Sequence, residues 1–219
     1  MFSSSFFTSL VGRKIIMAVT GIILVGFVFV HMIGNLQVFL GPEAINSYGE
    51  FLHHMLHGGG IWIARSILLL AVALHIWSAA SLTLESRAAK PERNKVQTWR
   101  ESTYASRTMR FSGPILFLFI IYHLLHFTIG TVHPDFIAGD VYHNFTVGFR
   151  VGWVTFFYVV AMLALGFHMS HGIWSMFQTL GLSHPRWNGY RKLLAYGLTF
   201  LVVGGNIVMP VSVYVGWIK

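Results

Sequence analysis

Residues 15–40 read IIMAVTGIILVGFVFVHMIGNLQVFL, a run without one charged side chain and with a single titratable group, His31. About 20 consecutive apolar residues are needed for a helix to cross a hydrocarbon core, and this stretch exceeds that length. Outward from it, the same pattern recurs at about 61–84, 111–132, 151–179 and 193–214. Breakers or polar residues separate the runs: Gly41-Pro42, the segment from Glu85 to Arg110, His133-Pro134-Asp135, and Gly181 to Pro185. Backbone in lipid must satisfy its own hydrogen bonds, so runs this long are helices. The expected fold is all-α and integral to a membrane, one domain over residues 1–219 with five transmembrane helices.

Composition agrees with that reading. The chain is 55% hydrophobic and only 10% charged, with a mean hydropathy of +0.64; a soluble domain carries about a quarter charged residues. Five buried helices of a soluble protein would need almost no polar face, which argues against that alternative. The first run is too long for a cleaved signal peptide and no small-residue cleavage site follows it, so it reads as an uncleaved span.

With five spans, the N-terminus, the 2–3 loop and the 4–5 loop share one side. That side carries Arg13, Lys14, Arg87, Lys90, Arg93, Lys95, Arg100, Arg107, Arg110, Arg186, Arg191 and Lys192, twelve of the fifteen Lys and Arg. The opposite side has Arg65 and Arg150 at helix starts, Lys219, and the acids Glu43, Glu50, Asp135 and Asp140. The positive-inside rule therefore expects a cytoplasmic N-terminus. The pI near 10.1 is then a topology signal, and nucleic-acid binding is not expected, because the basic residues sit in short loops between spans. The chain has no cysteine, which excludes disulfides, thiolate metal sites, iron–sulfur ligation and Cys-x-x-Cys-His haem attachment. A redox centre here must be held by nitrogen.

Histidine is plentiful, with twelve. Six lie within spans: His31, His75, His123, His126, His168 and His171. An intramembrane ionisable residue is costly and usually functional, and neutral imidazole is a common axial ligand of haem iron. A helix–helix hydrogen bond is the competing role for any one of them. Depth, at ~1.5 Å per helical residue, puts His31 at ~24 Å and His123 at ~18 Å from the N-terminal side. His75 and His168 lie at ~21 and ~26 Å from the other side. The four sort into two pairs, one per leaflet, the arrangement that two stacked bis-histidine haems b require. His126 and His171, each three residues after a proposed ligand, remain alternatives to His123 and His168.

Supporting features are weaker. Gly21, Gly26, Gly34, Gly166 and Gly172 would let a flat macrocycle approach helix backbones, though small residues also serve helix packing. The fifth span has no histidine and reads as a packing helix, with Pro210 bending its outer end. His53, His54 and His57 belong to the outer 1–2 segment and are expected to be solvated, with a quinone-site role open. His133, His143 and His184 read as loop residues. A haem-free proton channel is disfavoured because no acidic residue lies inside a span.

Three segments carry a resemblance. They are Gly12-Arg13-Lys14-Ile15-Ile16-Met17-Ala18-Val19-Thr20-Gly21 with His31-Met32-Ile33-Gly34-Asn35-Leu36, Glu43-Ala44-Ile45-Asn46-Ser47-Tyr48, and Phe167-His168-Met169-Ser170-His171-Gly172-Ile173-Trp174-Ser175. The chain resembles the b558-type cytochrome b subunit of succinate dehydrogenase or fumarate reductase. The resemblance implies a bacterial inner-membrane anchor for a flavoprotein and an iron–sulfur subunit on the cytoplasmic face, in contact with membrane lipid. It implies two haems b, the distal on His31 and His123 and the proximal on His75 and His168. It also implies electron exchange with a quinone, menaquinone being the expected one; a higher oligomer of the heterotrimer is compatible with it. The subunit would not itself act on succinate. The glutamate that some such fumarate reductases carry two residues before the fourth-helix ligand is replaced here by Gly166, which speaks against a proton path of that kind. A di-haem anchor of a hydrogenase, formate dehydrogenase or nitrate reductase is the alternative assignment. Candidate partners for haem propionates are Arg13, Lys14, Arg107 and Arg110 inside and Arg65 and Arg150 outside. Glu50, His54 and Arg65 are the quinone candidates, with a cytoplasmic site near Ser9 and Arg13 as the alternative.

Overall fold

The computed structural model describes residues 3–89 and 104–219. It contains α1 (Ser3–Thr8), α2 (Leu10–Asn35), α3 (Pro42–His54), α4 (Gly59–Ala88), α5 (Tyr104–His123), α6 (Val141–Arg150), α7 (Gly152–Thr179) and α8 (Asn188–Tyr214), with no strand among the described residues. Helices α2, α4, α5, α7 and α8 contain the five stretches long and apolar enough to cross a membrane. At 1.5 Å per residue, the 30 residues of α4 reach roughly 45 Å, enough for a hydrocarbon core with its headgroup layers.

Local chemistry sets the ends of these helices. Ser9 caps α2 by accepting the Gly12 N–H at 3.0 Å, a usual N-cap bond. Beyond Asn35 the chain tightens into a 3-10 turn, Leu36–Leu40, and leaves the helical path at Gly41, whose φ is +101°. Pro42 then starts α3 at the one helical position where a missing N–H costs nothing. Helix α5 passes directly into a π turn, Leu124–Ile129, that stops at Gly130. Gly130 is held at φ +84° against Phe136, whose ring atoms would stand 2.4 Å from an added Cβ. Only glycine fits there.

The short helices α3 and α6 differ from the loops expected at those places. Both sit at the end of the bundle opposite the N-terminus, which we call the far end, and they pack on each other. Asn46 joins them: its amide nitrogen donates to Asp140 Oδ1 at 3.0 Å, and its oxygen accepts the Tyr142 N–H at 2.9 Å. Asp140 caps α6 by accepting the His143 N–H at 3.0 Å. These bonds, the His143 N–H first and the Asn46 amide second, hold the Asp140 carboxyl below its usual pKa. Hydropathy misses such elements because α6 is ten residues long and amphipathic, with its hydrophobic face met only by tertiary neighbours. Arg150, expected at the start of the fourth span, is the exposed last residue of α6.

Packing divides the spans unevenly. Helix α2 lies along α4, and α5 along α7, which also packs on α8. Contact between the two groups runs mainly from α2 to α7, with less to α8, while α2 with α5 and α4 with α7 are not closely packed pairs. A core of Met32, Val38, Ile45, Phe149, Val154, Tyr158, Met209 and Val213 fills the far end, and Met169, Ile173, Ala195 and Val202 fill a second one. Outward, Leu69, Leu118, Phe156 and Phe200 are 63–78% exposed, the surface expected against lipid rather than water.

Candidate functional site

Helices that do not pack closely are bridged by histidine rings. His31 on α2 meets His123 on α5 with ring centres 5.9 Å apart and planes perpendicular. His75 on α4 meets His168 on α7 at 6.2 Å. Two imidazoles bound to one metal at about 2 Å each have ring centres roughly 6 Å apart. The two pairs stand at different depths. Thr20 of α2 contacts His75 and lies eleven residues before His31, or about 16 Å along the helix axis. Ser112 of α5 contacts His168 and lies eleven residues before His123, the same interval.

Hydrogen bonding fixes which ring nitrogen is free at the level of His75 and His168. Thr20 Oγ1 donates its one hydrogen to the Ile16 carbonyl at 2.7 Å, so toward His75 Nδ1, at 3.1 Å, it must accept. Ser112 Oγ donates to the Met109 carbonyl at 3.4 Å and accepts from His168 Nδ1 at 3.2 Å. Both imidazoles therefore carry their hydrogen on Nδ1 and a bare lone pair on Nε2, the form in which neutral histidine binds a metal. At the other level the partners differ. His31 Nε2 accepts from the Asn35 amide at 3.1 Å, and His123 Nδ1 meets the Tyr158 hydroxyl at 3.2 Å. His31 must release Asn35, or turn its ring, before that nitrogen can bind anything else.

The alternatives within each His-x-x-His pair are separated by position. His126 lies in the π turn, whose wider winding carries it away from His123's azimuth. It is fully buried, stacks on His133 with ring centres 4.9 Å apart and lies 4.2 Å from Phe127. Its Nδ1 meets Tyr158 at 3.1 Å, and its Nε2 has no partner. Neither His126 nor His171 has a ring contact with His31 or His75, the rings that face His123 and His168. His133, expected in a loop, is in one but is buried, with Nε2 donating to the Asn144 carbonyl at 2.8 Å. His53, His54 and His57 are exposed.

The basic candidates have other commitments. Arg13 forms an ion pair with Glu85 that ties the start of α2 to the end of α4, and also donates to the Thr8 carbonyl at 3.1 Å. The Arg65 guanidinium lies over the Trp62 ring at 5.0 Å, and no contact joins it to Glu50 or His54. Glu50 and His54 face each other at 3.9 Å on α3, both largely exposed. Arg150 and Lys14 are exposed. The side chains of Arg107 and Arg110, and Lys90, Arg93, Lys95 and Arg100 altogether, lie outside the described residues.

Sequence reading missed Thr20, Ser112, Tyr158 and Asn35. The first two had a signal: eleven residues is close to three helical turns, so Thr20 with His31 and Ser112 with His123 each share a face. Tyr158 had none, since its role depends on how α5 and α7 meet.

The donor set suits haem. Among the described residues no three His, Asp or Glu side chains converge on one metal. Each pair supplies two imidazole nitrogens, the number of axial positions left by a macrocycle, and it does so across helices that are not closely packed on each other.

No curated protein and no solved structure matches the chain. The family model for the succinate dehydrogenase/fumarate reductase transmembrane subunit matches residues 83–205, more than half of the chain, from the last turns of α4 into α8. That segment includes His123 and His168, together with Ser112 and Tyr158 that contact them. With five apolar helices and a match across three of them, the chain belongs to the succinate dehydrogenase/fumarate reductase transmembrane subunit family.

Proposed function

We propose that this chain is a di-haem cytochrome b anchor that carries electrons between a soluble iron–sulfur subunit and membrane quinone. Family membership supports its association with flavoprotein and iron–sulfur subunits over the hydrogenase, formate dehydrogenase and nitrate reductase alternatives. The observation that carries the haem reading is the meeting of His31 with His123 and of His75 with His168 across helix pairs that are otherwise not closely packed. Bound haem supplies reversible one-electron chemistry between ferrous and ferric iron.

The chain supplies the rest. His75 and His168 would hold one haem b and His31 and His123 the other. Thr20 and Ser112 keep the first two rings in the tautomer that leaves Nε2 bare. Apolar helix walls exclude water and so disfavour charge, a lever on redox potential. The basic end, with Arg13, Lys14, Arg186, Arg191 and Lys192, would face the cytoplasm and the soluble subunits. At the far end, Glu50 and His54 would exchange protons with a bound quinone, for which menaquinone is the working assignment. Arg65, held on Trp62, is the weakest of the three quinone candidates.

The test is a reduced-minus-oxidised spectrum of the purified protein. Two b-type components are expected, and their absence would end the haem reading. Recovery of the chain with a flavin-bearing subunit separates this anchor from those of other oxidoreductases.

A further inference from the structure

We propose that Tyr158 is a positioning residue for the far-end pair: it accepts the Nδ1–H of His123 and donates its own hydrogen to His126. This leaves His123 with its lone pair on Nε2. The proposal rests on reading His31 and His123 as haem ligands.

One phenol lies between two imidazoles. Its oxygen is 3.2 Å from His123 Nδ1 and 3.1 Å from His126 Nδ1. A tyrosine has one hydrogen to give, so one imidazole must receive it and the other must donate. Tyr158 is 6% exposed and His126 is fully buried, so water does not take either place. A histidine that binds iron through Nε2 carries hydrogen on Nδ1 and needs an acceptor there. For His123 that acceptor is Tyr158. The phenol hydrogen is then directed to His126, which keeps its own hydrogen on Nε2.

His126 is shaped for this role and not for ligation. Its ring stacks on His133 and on Tyr122, touches Phe127, and lies against Gly148, where an added Cβ would stand 3.0 Å from His126 Cε1. Its Nε2 is one of the few buried side-chain atoms without a partner, the cost of this arrangement. His133 cannot relieve it, because its own Nε2–H is already given to the Asn144 carbonyl and its Nδ1 accepts from the Asp135 N–H. The level of His75 and His168 lacks such a chain: Thr20 and Ser112 give their hydrogens to backbone carbonyls. A hydroxyl polarised by a donated hydrogen bond is held in fixed orientation as an acceptor. It pulls the His123 N–H and makes that ligand a stronger donor to ferric iron, lowering the potential at this level alone.

Redox titration of the membrane-embedded holoprotein tests the proposal, with the far-end b signal defined as the one lost in His123→Ala. Tyr158→Phe should raise the midpoint of that signal and leave the other unmoved. His126→Leu, which keeps the phenol but removes its acceptor, should raise the same midpoint by less. Selective loss of that signal in Tyr158→Phe, with the other retained, also supports the proposal. Unchanged midpoints, or equal shifts of both signals, would overturn it while leaving the ligand assignment intact. If Tyr158→Phe does not assemble, the same two outcomes decide the matter in His126→Leu. A wild-type protein without b-type signals would instead defeat the underlying ligand reading.

Discussion

At the level of His75 and His168, each imidazole donates to an aliphatic hydroxyl whose hydrogen is already committed to a carbonyl in the preceding turn. At the level of His31 and His123, one imidazole is occupied by Asn35 and the other shares a phenol with a third histidine. At the first level each hydroxyl is fixed by its own helix and reaches an imidazole on a neighbouring one. The second is tied into the aromatic far-end core, where Tyr158 also meets Phe149 and Phe119 edge-on at 4.8 and 5.0 Å. Similar imidazole pairs are therefore oriented by single hydroxyls at one depth and by a larger aromatic network at the other. The two levels should respond to different substitutions.

The largest effect expected is loss of a haem signal. His75→Ala and His168→Ala should each remove the same b-type component, and His31→Ala and His123→Ala the other, as read by difference spectroscopy. Persistence of both components in any of the four would break the pairing. His126→Ala and His171→Ala should retain both. Next come the hydroxyls. Thr20→Val or Ser112→Ala should weaken haem retention at the first level about 10- to 100-fold, the usual cost of losing a partner that orients a metal ligand. Competition with a haem-binding protein measures this, and an equal effect at both levels would erase the distinction drawn above.

The two ends of the bundle also differ in how they are fastened. At the far end, Asp140→Ala removes the cap of α6 and its link to Asn46, and should cost about 1 kcal/mol in thermal unfolding. Because the folded carboxyl titrates below its ordinary value of 3.8, this stabilisation is complete above that pH. It disappears as pH falls through the lowered folded value. Amide protection in α6, corrected for the intrinsic pH dependence of exchange, should fall in acid for the wild type and change little with pH in Asp140→Ala. At the basic end, Glu85→Gln should cost less, under about 1 kcal/mol, since Glu85 is 43% exposed and its pairing with Arg13 is screened. Added salt should shrink that difference.

Much of this was legible in the chain. The five spans follow from hydropathy because lipid imposes a length and forbids charge on every crossing helix. The four histidines at two depths follow from counting along those helices, since the helical rise converts sequence position into height. Even Thr20 and Ser112 were within reach, through their eleven-residue spacing from His31 and His123. Helices α3 and α6 were not, because they are short and their faces are satisfied only by each other and the bundle.

The sequence alone determined the membrane class, the number of spans and the candidate nitrogen ligands, all of which depend on composition or on distance along one helix. Tertiary structure decided which ring faces which, separating His123 from His126 and His168 from His171. It paired Arg13 with Glu85 and set Arg65 on Trp62, apart from Glu50 and His54. It also placed Tyr158 between two imidazoles. Those choices depend on azimuth and on contacts between helices, and a π turn of six residues, Leu124–Ile129, holds His126 in the core, away from the ring contact that His123 makes with His31.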